Sequence, residues 1–256
     1  MMTAPAETPL DPAAVLFHEI LDRPFLGLPS KHLVFFCVAA LVVAALGRGA
    51  LASYRGHIPH GLGALVETFV VFIRDEVAAK SIGEDGRRFT PLLLSFFFFI
   101  LVAALVGLLP FAAVSTGNIA VTMALAAVSF AAQQAAGIAR HGLAGHLRHL
   151  APPGLPLWLL PIMVPVEVLG MFTKPFALMV RLFANMLAGH MVVTTLLLLV
   201  PLLASVRPAF GWAMLPVSLA LGVFIMLLEV LVAFIQAYIF TLLTAIFIGQ
   251  YARPLH

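Results

Sequence analysis

The sequence predicts an all-α integral membrane protein: five transmembrane helices plus one interfacial amphipathic helix, the last two helices long and steeply tilted. Three observations predict it. Of 256 residues, 62% are hydrophobic and only 10% are charged, whereas a soluble domain carries about 25% charged residues. Mean hydropathy is +1.11. The apolar residues also gather into runs long enough to cross ~30 Å of hydrocarbon at ~1.5 Å per residue. A chain so composed cannot clothe a water-facing surface.

Residues 1–25, with Glu7, Asp11, Glu19 and Asp22, read as an acidic tail on the outer side, without the basic start and short apolar core of a secretory signal. Residues 26–256 form a single membrane domain. Its spans are expected at about 28–50, 91–110, 119–139, 161–200 and 212–250. The first contains Cys37, the one cysteine, so no internal disulfide is possible and the thiol reads as a small lipid- or helix-facing residue. The second carries the run Phe96–Phe99, taken as lipid-facing bulk. Between them, about 62–80, apolar Leu62, Leu65, Val66, Phe69, Ile73 and Val77 recur at helical spacing, with Glu67, Arg74, Asp75, Glu76 and Lys80 elsewhere. The apolar stretch is too short to span, so this helix is expected to lie in the inner interface.

The last two apolar segments are each about 40 residues, roughly twice what an upright span needs. From Val223 to Ile248 there is no Gly or Pro at which the helix could fold back. Such helices must tilt or protrude. A bend in the first is expected near Gly170 and Pro175.

Orientation follows the basic residues. With the N-terminus outside and the C-terminus inside, the inner side holds Arg48, Arg55, Arg74, Lys80, Arg87, Arg88, Arg140, Arg148 and Arg253. The outer side keeps Arg23, Lys31 and Arg207. That asymmetry follows the positive-inside rule. The net charge of +3 is small and no basic stripe with interleaved aromatics appears, which excludes a nucleic-acid partner.

From Pro91 onward the only acidic residues are Glu167 and Glu229, one in each long helix, and Lys174 and Arg181 share the first helix with Glu167. A charged side chain at mid-bilayer costs about 2.5–3.5 kcal/mol on insertion scales and marks a functional site by default. Glu167 and Lys174 can reach toward the inner interface. Arg181, about 20 residues from either end of its segment, cannot. Glu167, Lys174 and Arg181 are spaced by seven and stay near one helix face, with Asn185 at i+4 from Arg181. His190, nine residues beyond Arg181, points to the opposite side. The last helix offers Glu229 and Gln236, again seven apart.

A cation on one face and a titratable imidazole on the other suit a wall between two compartments. A Glu and a His in a wet crevice suit proton passage, since environment can bring both toward neutrality. Each also has a plainer reading. His190 or Glu229 could be a satisfied interhelical hydrogen bond, and Asn185 or Gln236 polar glue between helices. His141, His146 and His149 share a stretch with Arg140 and Arg148 at irregular spacing and read as a basic inner loop, not a metal site. No phosphate-cradling glycine loop, nucleophile motif or zinc motif is present, so no cofactor or metal is implied and no ATP chemistry belongs to this polypeptide.

The stretch from Lys174-Pro175 through Arg181-Leu-Phe-Ala-Asn185 to Gly189-His190 resembles the signature of subunit a of the F-type ATP synthase. Glu229 through Gln236-Ala-Tyr-Ile-Phe resembles that family's last helix, and Gly107-Leu-Leu-Pro110 its second-span terminus. His190 with Glu229 is similar to the mitochondrial-type arrangement, the acid and imidazole being exchanged in many other bacterial members. The resemblance implies a non-catalytic, proton-translocating stator subunit in a bacterial plasma (inner) membrane. Its partners would be a rotating c-subunit ring, b-type peripheral stalk subunits and the soluble ATPase head, besides membrane lipid. It implies that Arg181 faces the ring's essential carboxylate, that His190, Glu229, Asn185 and Gln236 serve an outer half-channel, and that Glu167 serves an inner one, with Lys174 in support. The residues alone leave two rivals open: a self-contained secondary transporter or channel using midplane charges, which would call for an inverted repeat, and a structural membrane scaffold.

Overall fold

A computed structural model describes residues 31–53, 61–83, 85–108, 117–148 and 159–252, and all regular structure among them is helical. The expected tail, 1–25, lies outside the described residues, as do Arg55, His149 and Arg253. Helix α1 spans Lys31–Ser53 and α2 spans Leu62–Phe72, following Gly61 at φ 61°. Without interruption α2 passes into a π-helical stretch, Ile73–Ala79, and a last turn, α3 (Lys80–Ile82), stopped by Gly83 at φ 93°. Then come α4 (Gly86–Gly107), α5 (Ile119–Arg148), α6 (Leu160–Val206) and α7 (Pro208–Ala252).

Four helices have stretches long and apolar enough to cross a membrane, Gly86–Gly107, Ile119–Gly142, Pro161–Val206 and Pro208–Tyr251, while α1 has a shorter apolar stretch, Val34–Gly49. The third helix runs past the expected end near 139. Its backbone breaks at Gly142 (φ 69°, ψ 171°), a left-handed φ that glycine adopts without steric cost, and helix resumes to Arg148. His141 and His146 are therefore on helical backbone, where a loop is expected. Helix α6 is continuous through Gly170 and Pro175. It ends at Arg207, extended at φ −151°, ψ 129°. The reason is local: Pro208 pushes its predecessor out of the helical region and opens α7 with a ring already set for helix. One residue thus joins the two long helices.

The core forms where the π-helical element, α4, α6 and α7 meet. The element turns Ile73, Val77, Ala78 and Ile82 inward and leaves Arg74, Asp75, Glu76 and Lys80 outward. Arg74 donates to both carboxylate oxygens of Asp75 at 2.7 and 2.8 Å, which holds that carboxyl below its usual range, and Lys80 pairs with Glu76. Two glycines allow close docking. A Cβ on Gly86 would meet the Ala78 carbonyl, and one on Gly249 would collide with that of Ser81.

The Phe96–Phe99 run is not lipid-facing bulk. Phe96 and Phe97 are buried, Phe97 fully. Phe97 packs against Phe69 (5.4 Å between centroids) and Phe234 (5.8 Å), Phe96 against Phe240 (5.3 Å) and Phe99 against Phe36 (5.0 Å). Successive helical residues point about 100° apart, so four in a row cover every face and some must meet protein.

Candidate functional site

The one-residue link makes α6 and α7 an antiparallel hairpin, and a ladder of close approaches fixes its register. Nearest the link, a Cβ on Gly211 would press on Ala204 at 2.5 Å. Ser218 Oγ then donates to the Leu196 carbonyl at 2.5 Å. Next, Glu229 seats its carboxyl against Gly189, where an added Cβ would collide with Oε1 and lie 2.8 Å from Cδ. Asn185 Nδ2 donates to Gln236 Oε1 at 2.9 Å. Farthest from the link, Lys174 Nζ donates to Gln250 Oε1 at 2.8 Å and lies 5.4 Å over the Phe247 ring and 5.8 Å over that of Tyr251. The hydrogen-bonded rungs satisfy groups that hydrocarbon would leave unpaired, an interhelical contribution of about 0.6–2 kcal/mol apiece.

Two cavities flank this ladder. One, about 470 Å³, is lined by Thr173, Lys174, Ala177, Arg181, Leu243 and Phe247 among others. The second is narrow, about 20 Å³, and is lined by Asn185, Met186, His190 and Glu229, with Ala104 and Gly107 of α4 closing it. Arg181 and Lys174 line the first and not the second; His190 and Glu229 line the second and not the first. The two spaces follow one another along α6, and Asn185, expected on the Arg181 face, lines the second.

Among the described residues Arg181 makes no hydrogen bond or ion pair. An arginine side chain keeps its charge in proteins, so the cavity holds a fixed positive charge. Glu229 Oε1 is buried without a hydrogen-bond partner, as is Gln236 Nε2. Glu167 does not line the larger cavity; it lies one turn before Gly170, which does, and within electrostatic range of Tyr251. Among the described residues no three His, Cys, Asp or Glu gather as metal ligands.

Sequence reasoning offered Asn185 and Gln236 each as polar glue between helices, and the structure joins them to one another; it also separated Arg181 from His190. It missed Gly189 as the seat of Glu229, Gln250 as the partner of Lys174, and a fully buried polar chain joining α5 to α7. In that chain Gln133 Nε2 donates to Ser129 Oγ at 3.2 Å, and Ser129 Oγ meets Thr244 Oγ1 at 2.9 Å. The available signals were a glycine beside His190 and the seven-residue step from Glu229 through Gln236 and Leu243 to Gln250.

A sequence model of the family described as ATP synthase A chain matches residues 32–249. The chain is 51% identical over 224 residues to ATP synthase subunit a of Myxococcus xanthus, covering 86% of this chain and 72% of that protein. It is 49% identical over 226 residues to ATP synthase subunit a of Anaeromyxobacter dehalogenans, covering 86% and 57%. To ATP synthase subunit a 2 of Chlorobaculum tepidum it is 40% identical over 262 residues, covering 93% and 72%. The match thus spans little more than half the length of one of these relatives and under three quarters of the other two.

Proposed function

Since the chain belongs to the ATP synthase A chain family, we propose that it is the proton-translocating membrane stator subunit of an F-type ATP synthase, working against a rotating ring of c subunits. It is a multi-pass membrane subunit and not a catalytic one. ATP chemistry belongs to the soluble head, to which b-type stalk subunits tie it. Family membership leaves the self-contained transporter and the scaffold without support.

The observation that carries the mechanism is the pair of cavities on opposite sides of the Arg181–Asn185 stretch. A protonated ring carboxylate is neutral and can ride through lipid. Beside Arg181 it meets a charge that arginine does not give up. Its proton affinity falls and the proton leaves into one cavity. Past Arg181 the carboxylate is reprotonated from the other cavity, where His190 and Glu229 relay protons and Asn185 and Gln236 hold the helices in register. The fixed guanidinium also blocks a direct leak between the cavities. Lysine would be a poorer barrier, because burial can strip its proton.

Length supports the geometry. The 46 residues from Pro161 to Val206 extend about 70 Å as helix, more than twice the ~30 Å of hydrocarbon, so α6 and α7 lie steeply tilted. With α1 counted as a span, five crossings put the N-terminus outside and the C-terminus in the cytoplasm. The Lys174 cavity is then the inner half-channel, with Glu167 at its approach, and the His190 cavity the outer one.

Arg181→Ala and Arg181→Lys are both expected to abolish ATP-driven proton pumping in membrane vesicles while the complex still copurifies with its c-ring and ATPase head. Wild-type pumping by Arg181→Lys would reject the mechanism.

A further inference from the structure

We propose that Lys174 is a second fixed cation of the Arg181 cavity, whose field lowers the proton affinity of a partner carboxylate facing that cavity and so sets the pH at which protons are taken up from the inner side. The inference rests on the reading of α6 and α7 as the ring-facing wall.

Lys174 is not reaching loosely toward water. Its Nζ is tied to Gln250 Oε1 at 2.8 Å and lies over the faces of Phe247 and Tyr251. A carbonyl oxygen and the negative faces of two rings are what an ammonium group prefers, and they hold it without neutralising it. A carboxylate in place of Gln250 would have anchored the lysine equally well and cancelled its charge. The ammonium therefore keeps its field. Lys174 and Arg181 line one cavity, seven residues and ~10 Å apart along the helix, and no carboxylate lines it with them.

The other titratable and charged groups around this stretch do not cancel that field at close range. Glu167, on α6, makes no ion pair with Lys174 among the described residues and is itself seven residues away. On α7 the nearest titratable group is the Tyr251 phenol, beneath the ammonium, and Glu229 lines the other cavity. On α5, Arg140 is paired with Asp85 at 3.0 Å, and His141 follows it in sequence. On the interfacial element Lys80 is paired with Glu76, and Arg74 with Asp75.

A unit charge ~10 Å from a carboxylate, at an effective dielectric between about 20 and 80, moves its titration by about half a pH unit. The direction is fixed: removing the cation raises the carboxylate's affinity for protons, so uptake from the inner side persists to higher pH.

The test uses the whole complex in inverted vesicles, whose bath bathes the inner side. ATP-driven pumping is followed against bath pH and divided, at each pH, by the ATPase rate of heads released from the same vesicles. In Lys174→Gln the alkaline midpoint is expected to rise by about half a pH unit, and Lys174→Arg, which keeps the charge, restores the wild-type midpoint. Gln250→Glu is the decisive variant, because it strengthens the anchor while cancelling the field. It is expected to raise the midpoint as Lys174→Gln does. If Lys174 only braces the hairpin, Gln250→Glu leaves the midpoint where it was, and that result, or a downward shift, overturns the proposal. Should Lys174→Gln fail to assemble, Gln250→Glu decides alone. Failure of the underlying wall reading appears separately, as pumping that survives Arg181→Ala at every pH.

Discussion

Helix α4 and the hairpin α6–α7 are both apolar, yet they are finished to different degrees. Within their most apolar windows 44% of α4 is buried inside the chain, against 6% of α6 and 11% of α7. Around α4 the interfacial element, α7 and the phenylalanine cluster close a core with fully buried Phe97, Leu93 and Ile100. Along the hairpin, Leu169, Phe176, Val223 and Leu227 stand open. The other side of the hairpin is closed: Leu178, Leu182, Phe240 and Ile248 join the core, and rungs close the seam between the two helices. One region is closed on most sides; the other joins the core along one side and leaves an apolar surface open along the other. Arg181, His190 and Glu229 all belong to the second region, where the proposed function would have a rotating ring reach them.

The contrast breaks most visibly under truncation. Phe97→Ala, in the closed core, is expected to destabilise the solubilised chain by about 3–5 kcal/mol. Leu227→Ala, at a position 66% exposed, should stay within about 0.5 kcal/mol. Thermal unfolding of both in the same detergent compares them directly, and equal losses would erase the distinction between the regions.

Glycines sharpen the comparison within the hairpin. Gly189→Ala puts a methyl group where the Glu229 carboxyl sits, whereas a Cβ on Gly222 meets nothing within 4 Å. Overpacking of this kind costs about 1–3 kcal/mol. Pumping should fall roughly tenfold in Gly189→Ala, about 1.4 kcal/mol of barrier, and be unaffected in Gly222→Ala. Equal effects would mean the Glu229 seat has no bearing on transport.

The periodic, chemical part of this architecture was legible in the sequence. Run lengths gave the long helices, and seven-residue spacing put Arg181 with Lys174, which line one cavity; Asn185, expected on their face, lines the His190 cavity instead. What was not legible depends on contacts between distant segments. The phenylalanine run has no period, so only the docking of Phe69 and Phe234 reveals which rings are inside. The π-helical stretch Ile73–Ala79 has no local breaker to announce it. Gly189 and Gln250 matter through what lies across the hairpin, which register alone decides.

A smaller effect tests the narrow cavity. His190→Glu and Glu229→His each leave two like groups there, and both should impair pumping. The exchanged double mutant restores one acid and one imidazole and should recover part of it. A coupling energy of roughly 1 kcal/mol in the double-mutant cycle is expected. A double mutant no better than the worse single would argue that the two residues share no relay.

In the proposed mechanism the hairpin separates two spaces that open to opposite sides of the membrane. In a Cys37→Ser background, Thr173→Cys lines the Arg181 cavity and Met186→Cys the His190 cavity. Silver ion, small enough for the narrow space, is applied to right-side-out and inverted vesicles, and block of pumping is read for each. The account predicts that Thr173→Cys is blocked only from the cytoplasmic side and Met186→Cys only from the outer side. Block of both from one side, or of each from both sides, would contradict it.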